Sequence, residues 1–234
     1  MIVAQYLTAV IVGYLLGSIP FGLLIAKQTA NVDVRKYGSG KTGATNVMRT
    51  AGRKAAVVAA ILDLSKGALA VLFAGLIVGE SYLLAGDYAL GMLAAQVLAG
   101  LAAIVGHIWP VFLKFKGGRG VAPFFGGLIA LCLVAAVSGD VVLLSVAAFG
   151  GVMFISVAAL TRYASLGSIS GAVGACAILV PLTIVNGFPI EYLVYALISA
   201  VLIVVMHRDN IARLISGKER KLGEKVKTGD LQSR

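Results

Sequence analysis

Seven long apolar segments, separated by short polar stretches, dominate this sequence. A helix needs roughly 20 apolar residues to cross the hydrocarbon core of a bilayer, and somewhat fewer where its flanking side chains reach the interface. Only 13% of the 234 residues are charged, whereas about a quarter are charged in a soluble domain. We therefore predict an all-α, polytopic transmembrane helical bundle, a single domain over residues 1–234 with a basic polar tail from about residue 218. The predicted spans are Ile2–Ala26, Ala55–Gly79, Tyr88–Val111, Val121–Val137, Val141–Leu160, Ile169–Val185 and Tyr192–Met206.

The basic residues are distributed unevenly among the connections between these segments. Nineteen of the 20 Lys and Arg residues lie in three alternate connections and the C-terminal tail, and the remaining connections carry only acidic residues. The positive-inside rule therefore places the N-terminus outside and the C-terminus in the cytoplasm. The net charge of +10 suits an anionic inner leaflet and anionic substrates. We expect no nucleic-acid partner, because the aromatic residues lie in the apolar segments and do not alternate with the basic ones.

Asp63 and Lys66 are ionisable residues inside the second apolar segment. A charged side chain at the middle of a membrane helix costs about 3 kcal/mol on insertion scales. A spacing of three residues puts both side chains on one helix face, where they can form an ion pair. Two interpretations stay open: a structural pair that faces the bundle, or part of a polar site below the cytoplasmic surface.

The first predicted cytoplasmic connection contains the glycine-rich run Gly38-Ser39-Gly40-Lys41-Thr42-Gly43-Ala44-Thr45-Asn46, followed by Arg49. Small residues let a backbone curl so that several N–H groups point at one anion, and hydroxyl and guanidinium groups can complete a phosphate site. The run is not a P-loop, because Arg35 stands where that motif needs its first glycine. A flexible linker would explain the glycines but not Asn46 and Arg49 beside them.

The second predicted cytoplasmic connection places three glycines within four residues around one arginine, directly before a predicted helix. A helix N-terminus has free N–H groups and a positive dipole end, which favour an anion. The alternative is a basic membrane anchor with a tight turn. The candidate anion-binding residues here are Lys116, Gly117, Gly118, Arg119 and Gly120.

The last apolar segment ends in a third polar motif. His207, Asn210 and Arg213 recur every three residues and therefore share one side of a helix. A histidine beside an amide and an arginine suits proton transfer near an anion. An ordinary basic helix end at the membrane surface is the alternative. Ser165, in the remaining cytoplasmic connection, lies on the same predicted face of the bilayer, and Glu219 follows the motif in the tail.

Several motifs of other lipid enzymes are missing. Neither histidine has an aspartate five positions later, so the His-x4-Asp pair of common glycerolipid acyltransferases is absent. The sequence also lacks the run of spaced aspartates that holds Mg²⁺ in alcohol phosphotransferases. We therefore expect neither a metal ion nor another cofactor.

Taken together, the three long motifs resemble those of the bacterial acyl-phosphate:glycerol-3-phosphate acyltransferases, the PlsY family. The matching patterns are Gly-Ser-Gly-x-x-Gly-Ala-Thr-Asn-x-x-Arg, then Gly-His-x-x-Pro-Val-Phe with Lys-Gly-Gly-x-Gly-Val-Ala, and His-x-x-Asn-Ile-x-Arg-x-x-x-Gly-x-Glu. The run Asp63–Gly67 also resembles a family element. Two residues depart from the family pattern: Arg119 replaces the usual Lys, and Lys41 replaces a usual Asn and is given no role. Arg119 can bind phosphate but cannot act as a neutral amine.

The resemblance assigns roles to residues of each motif. It implies that Ser39, Arg49, His207 and Asn210 are catalytic, and that Glu219 is structural. It further implies that the acceptor's phosphate is bound by Gly117, Gly118 and Gly120, with Ser165 as a further site residue. Asn46, Lys116 and Arg119 are expected to bind substrate, whereas Asp63 and Lys66 are expected to be structural.

The resemblance also implies a reaction: transfer of a fatty acyl group from acyl phosphate to the sn-1 hydroxyl of glycerol 3-phosphate, which yields lysophosphatidic acid and phosphate. Its expected setting is the bacterial cytoplasmic (inner) membrane, with membrane lipids and a soluble enzyme that forms acyl phosphate as partners. The competing class is a small transporter or channel for an anionic metabolite, in which Asp63 and Lys66 would line the pathway. Against it, the polar motifs lie on one face, whereas alternating access needs a site at the midplane.

Overall fold

The computed structural model describes residues 1–81, 83–85 and 88–224, so the last part of the predicted tail lies outside the described residues. Helices make up most of this part of the chain. They are α1 Ile2–Ser18, α2 Phe21–Ala30, α3 Ala44–Ala51, α4 Arg53–Val78, α5 Met92–Ile108, α6 Val121–Val137, α7 Leu144–Thr161, α8 Ala164–Asn186, α9 Ile190–Met206 and α10 Arg208–Ile215. Two short antiparallel strands, β1 Leu83–Ala85 and β2 Tyr88–Leu90, pair between α4 and α5.

Every predicted span coincides with one or two of these helices. Among the described residues, five helical stretches are long and apolar enough to cross a membrane, and α9 joined to α10 makes a sixth, bent by 59°. At 17 residues, α6 is about 26 Å long, slightly less than the hydrocarbon thickness of about 30 Å. The structure thus shows a membrane-type helical bundle, while the count of seven spans and their orientation stay predictions.

Most predicted bounds differ from the helix ends by a few residues, and two predicted spans differ in more than their end residues. The first, Ile2–Ala26, was expected to be continuous but is divided into α1 and α2, because Pro20 lacks an N–H and disfavours helical geometry at Ile19. The third was expected to begin at Tyr88, but that residue lies in β2 and the helix begins at Met92. A short apolar strand and a helix end cannot be distinguished by hydropathy alone.

Small residues allow the helices to approach one another closely. A Cβ atom at Gly13 or Gly17 of α1 would collide with backbone of α5, and one at Gly67 of α4 would collide with the carbonyl oxygen of Pro123 in α6. Close approach of this kind replaces the hydrophobic effect as the source of helix association in lipid. As a result, α1, α4, α5 and α6 form one tightly packed group, and α7 packs mainly against α8.

The three polar motifs meet at one end of this bundle. The Arg119 Nε atom donates to the Met206 carbonyl at 3.3 Å, which joins the loop before α6 to the end of α9. Ser165, at the start of α8, donates to the Glu219 carboxylate beyond α10 at 2.8 Å. Segments that are far apart in the sequence therefore share one polar end.

Candidate active site

Asn46 holds the first glycine-rich loop in shape. Its Nδ2 atom lies 2.8 Å from the carbonyl oxygen of Val34, 3.1 Å from that of Tyr37 and 2.9 Å from that of Lys41. Its Oδ1 atom accepts the backbone N–H of Ser39 at 3.1 Å. Because these contacts use both ends of the amide, Asn46 orients the loop that presents Ser39 and Lys41. Asn46 also lines the larger of two cavities described below, and the substrate contact expected of it stays a prediction.

The loop before α6 uses its glycines for close packing. The N–H of Gly117 donates to the Ile108 carbonyl at 3.1 Å, and that of Gly118 donates to the His107 carbonyl at 2.9 Å. A Cβ at either glycine would collide with His107, and Gly120 has a φ of +84°, which favours glycine. The N–H groups of Gly117 and Gly118 are therefore already bonded within the protein, and the binding of an anion by these glycines stays a prediction.

Arg119 lies between these closely packed glycines. Its side chain lies in the polar end of the bundle, close enough to Arg49 and Arg213 for their charges to act on it. Burial, and then the charge of Arg213, lowers the pKa of Arg119 to about 10, so the guanidinium stays positive at neutral pH. A buried cation beside other cations is stabilised when an anion binds among them.

Glu219 accepts hydrogen bonds from three side chains. Its Oε1 atom accepts from the Ser165 hydroxyl at 2.8 Å and from the Asn210 amide at 2.6 Å, and its Oε2 atom accepts from Arg213 Nε at 2.8 Å. Burial opposes ionisation of this carboxyl, but the hydrogen bonds outweigh it and leave the pKa of Glu219 below its ordinary value. Glu219 is thus an ionised carboxylate that fixes Ser165 and Asn210.

His207 lies in the turn between α9 and α10 and is almost fully buried. Its Nδ1 atom is 2.7 Å from the Ile203 carbonyl oxygen. Since a carbonyl only accepts, Nδ1 carries the hydrogen, and in the neutral ring Nε2 then has a free lone pair. Burial, followed by the charge of Arg119, lowers the pKa of His207 to about 4. The imidazole is therefore neutral at physiological pH and can accept a proton.

Two adjoining cavities meet at these residues. The smaller has a volume of about 30 Å³ and a polar lining that includes Arg49, Ser165, Asn210 and Glu219. The larger has a volume of about 360 Å³ and extends from Ser39 and Lys41 along the apolar faces of α4, α6 and α7. Four residues line both cavities: Thr45, Arg119, Ser168 and His207.

Arg49 is the second cation of the smaller cavity. Its Nε atom is buried without a hydrogen-bond partner, and one terminal nitrogen lies a long 3.5 Å from the Arg220 carbonyl oxygen. Burial, and then the charge of Arg220, lowers the pKa of Arg49 from its ordinary value. With weak partners and a donor unused, this guanidinium is suited to bind an incoming anion.

The structure places the predicted site residues unequally. Seven predicted site residues line one or both cavities: Ser39, Asn46, Arg49, Arg119, Ser165, His207 and Asn210. Lys116 is exposed and lines neither of the two cavities. Lys66 is buried with its Nζ atom 2.8 Å from Asp63 Oδ1, and it also donates to the Ile19 carbonyl at 2.9 Å. Asp63 lines the larger cavity as well, so it combines the two interpretations left open by the sequence.

Sequence reasoning missed several lining residues. Lys41 received no role, yet it lines the larger cavity beside Ser39. Thr45 belongs to the same motif, and Ser168 lies three residues after Ser165 on one helix face, so the spacing could have revealed it. His107 also lines the larger cavity, with Nδ1 3.5 Å from Asp63 Oδ1. No group of three or more His, Cys, Asp or Glu side chains suited to a metal ion occurs in the described part of the chain.

Comparisons with known proteins agree on one family. The family model described as glycerol-3-phosphate acyltransferase matches residues 7–217. Glycerol-3-phosphate acyltransferase 3 of Dehalococcoides mccartyi (strain CBDB1) is 59% identical over 97% of this chain and 100% of its own length. Glycerol-3-phosphate acyltransferase of Halalkalibacterium halodurans is 41% identical over 94% of this chain and 96% of its own length.

Solved structures give the same result. The glycerol 3-phosphate form of PlsY (YgiH), an integral membrane glycerol 3-phosphate acyltransferase, is 36% identical with a TM-score of 0.76, over 98% of this chain and 99% of that one. The lysophosphatidic acid form is 37% identical with a TM-score of 0.74, over 94% and 96% of the two chains.

Proposed function

This chain belongs to the glycerol-3-phosphate acyltransferase family, and from that premise we propose the identity of both substrates and the course of the reaction. The donor is a long-chain acyl phosphate and the acceptor is the sn-1 hydroxyl of glycerol 3-phosphate. The products are lysophosphatidic acid and inorganic phosphate. The observation that carries the proposal is that Arg119 and His207 line both a small cationic cavity and a large apolar one. They form the wall that the two cavities share.

The smaller cavity suits the acceptor. Arg49 and Arg119 supply positive charge, and Asn210 Oδ1 is buried without a hydrogen-bond partner, so it can accept from a substrate hydroxyl. A volume of about 30 Å³ holds about one water, so glycerol 3-phosphate binding must widen this space. The long contact of Arg49 with the Arg220 carbonyl is the one most easily given up. The solved relative's glycerol 3-phosphate form supports this acceptor.

The larger cavity suits the donor. Its apolar walls on α6 and α7 fit an acyl chain, and its polar end presents Ser39, Lys41 and Arg119 to a phosphate. Burial, and then the charge of Arg119, lowers the pKa of Lys41 from its ordinary value. A phosphate dianion bound here would relieve the repulsion between Lys41 and Arg119. Lys41 thus takes a proposed role in holding the leaving phosphate.

Acyl phosphate is an activated mixed anhydride, so the transfer needs no covalent enzyme intermediate. The acceptor hydroxyl oxygen bonds to the acyl carbon while His207 Nε2 takes the hydroxyl proton. The acyl carbon then breaks its bond to the phosphate oxygen, and the proton passes from His207 to the departing phosphate. Arg119 offsets negative charge as it develops, and the two cavities bring both reactants to one place.

The membrane setting completes the proposal. Seven spans with the N-terminus outside would put the shared wall at the cytoplasmic face of a bacterial inner membrane. A soluble phosphate ester could then enter from the cytoplasm, and the acyl donor could enter from the bilayer or from the soluble enzyme that forms it. The uneven distribution of Lys and Arg in the sequence supports this orientation.

The test is a donor comparison with purified protein in detergent. Glycerol 3-phosphate is supplied with acyl phosphate, acyl-CoA or acyl carrier protein of the same chain length, and lysophosphatidic acid is quantified. We expect product from acyl phosphate alone, with the acyl group on the sn-1 oxygen by NMR. Equal rates with acyl-CoA would refute the donor assignment. Because transport needs two compartments and acyl transfer needs none, turnover in detergent also separates an enzyme from a transporter.

A further inference from the structure

Two adjacent glycines in α7 have different surroundings. A Cβ at Gly150 would lie 3.1 Å from the Gly171 carbonyl oxygen and 3.2 Å from the Ala175 side chain, so α8 packs directly against it. A Cβ at Gly151 would have no atom within 4 Å outside its own helix and chain neighbours. Close packing therefore accounts for Gly150 and does not account for Gly151.

Local conformation does not account for Gly151 either. The residue lies inside α7 and is not among the glycines with a positive φ in the described residues. Glycine at a helix interior costs about 0.5–1 kcal/mol relative to alanine. A position with free space on one side and ordinary helical geometry would be more stable with a larger residue.

The free space beside Gly151 is the larger cavity itself. Gly151 lines it together with Ala147 and Ile155, one turn away in each direction on α7, and with Phe125 and Ile129 of α6. Ala147 lies one turn further than Gly151 from Thr161, the end of α7 nearest the polar motifs. An occupant that runs along α7 from the polar end to Ala147 therefore passes Gly151.

The distance of Gly151 from the polar end of the bundle can be expressed as a number of acyl-chain carbons. Gly151 lies ten residues before the end of α7 at Thr161, which is about 15 Å along the helix axis. An extended chain advances about 1.2 Å per bond, the value implied by an extended polypeptide. Measured along α6 instead, Phe125, whose ring lies 3.4 Å from a Cβ built at Gly150, is four residues beyond Val121, which is about 6 Å. A chain whose carbonyl carbon lies near the helix ends would thus pass Gly151 between about its fifth and its twelfth carbon.

We propose that Gly151 determines which acyl chains the enzyme accepts: its missing side chain leaves a passage for long-chain donors. This inference rests on the proposed function, because it takes the larger cavity as the donor's site. A Cβ at position 151 meets no atom of α8, so a side chain there extends into the passage. Gly151 does not line the smaller cavity.

The test is a graded series, Gly151→Ala, Gly151→Val and Gly151→Leu, assayed with acyl phosphates of 8 to 18 carbons. For Gly151→Leu we expect kcat/KM with the 16-carbon donor to fall at least about tenfold, or 1.4 kcal/mol. The loss with the 8-carbon donor should be smaller, because less of a shorter chain extends past Gly151. Val152→Leu is the matched control, because Val152 is the next residue, 59% exposed, and is not a lining residue; its chain-length profile should not change.

The outcomes separate the two proposals. An unchanged profile in all three Gly151 variants, or an equal loss with every chain length in variants with unchanged thermal unfolding, refutes the role of Gly151. Turnover of the short donor shows that a variant is folded, and the alanine and valine variants keep the test decisive if the leucine variant does not fold. If the unchanged protein uses no acyl phosphate of any length, the proposed donor is wrong.

Discussion

Asp63 and Glu219 are both buried carboxylates with several partners, yet they lie in different parts of the molecule. Asp63 lies in the middle of α4 among helices, with the Nζ atom of Lys66 at 2.8 Å and Nδ1 of His107 at 3.5 Å. Glu219 lies beyond α10 and binds Ser165 and Asn210, which line the smaller cavity. The same chemical group therefore joins helices beside the larger cavity in one region and orients side chains of the smaller cavity in the other.

The difference lies in what can replace the carboxylate. Lys66 is surrounded by protein, and apart from Asp63 its bonding partner is the Ile19 carbonyl. Loss of the acid would leave a buried ammonium in a low-dielectric region. Around Glu219, a bound phosphate could satisfy the same donors that the carboxylate satisfies. Loss of Asp63 should thus affect folding most, whereas loss of Glu219 should affect the orientation of Ser165 and Asn210 more than folding. The following predictions test that contrast.

The largest effect is expected at Asp63. Asp63→Ala should lower the free energy of unfolding by about 3–5 kcal/mol, because Lys66 stays buried without its counter-charge. Thermal unfolding in detergent measures this. The double variant Asp63→Leu/Lys66→Met, which removes both charges and keeps apolar volume, should recover most of the loss. A single variant that unfolds at the original temperature would contradict the role given to this pair.

The next effect concerns the two residues proposed to act on the substrates. His207→Ala and Arg49→Ala should each lower acyl transfer from acyl phosphate at least about tenfold, or about 1.4 kcal/mol of barrier. Thermal unfolding should change little, unlike in Asp63→Ala. Full activity in both variants, when they are correctly inserted in the membrane, would contradict the proposed active site. If His207→Ala raises only KM for glycerol 3-phosphate, the residue binds the acceptor and is not the base.

A smaller effect is expected at Glu219. Glu219→Ala removes three hydrogen bonds and should raise KM for glycerol 3-phosphate about fivefold, close to the net value of one hydrogen bond, about 1 kcal/mol. Arg213→Gln is the matched control: it removes one donor but keeps the bonds of Ser165 and Asn210 to Glu219. Equal effects of both variants would mean that the charge pair, and not the orientation of Ser165 and Asn210, is what matters.

The smallest expected effect is a shift in titration. The pKa of His207 is lowered from 6.5 to about 4 by burial and by Arg119, so the neutral form persists between pH 5 and 8 and the charged form appears only near pH 4. The chain has two histidines, so ¹³C-labelled histidine gives two resonances, and His207→Gln identifies one of them. Arg119→Gln should raise this pKa part of the way. An ordinary pKa near 6.5 would mean that water reaches the ring.

The sequence predicts the helices well because apolar length is a local property. The bounds of α6, Val121–Val137, agree with the structure. Pro20 itself indicates a break between α1 and α2, but the residues on both sides are apolar, so hydropathy predicts one continuous span. The sequence also predicts that the motifs lie at one end of the bundle, because all of them occur in the connections and tail that carry Lys and Arg.

Which atoms are free at the site could not be predicted. Whether the N–H groups of Gly117 and Gly118 face an anion depends on how closely the end of α5 approaches them, and that is a tertiary contact. Asn46 likewise has three carbonyl partners in its own loop, which no spacing rule indicates. Lys41 departs visibly from the family pattern, but its place beside Ser39 in the larger cavity depends on tertiary structure.

The wall shared by Arg119 and His207 has a consequence for how the reaction responds to supply. On the proposed function, one reactant is counted in moles per litre of cytoplasm and the other as a mole fraction of the lipid around the protein. Diluting the donor with inert lipid or detergent should then slow turnover at constant bulk concentration, whereas diluting the acceptor depends only on volume. A catalyst built on such a wall would couple the rate of lipid synthesis to the composition of the membrane that it enlarges.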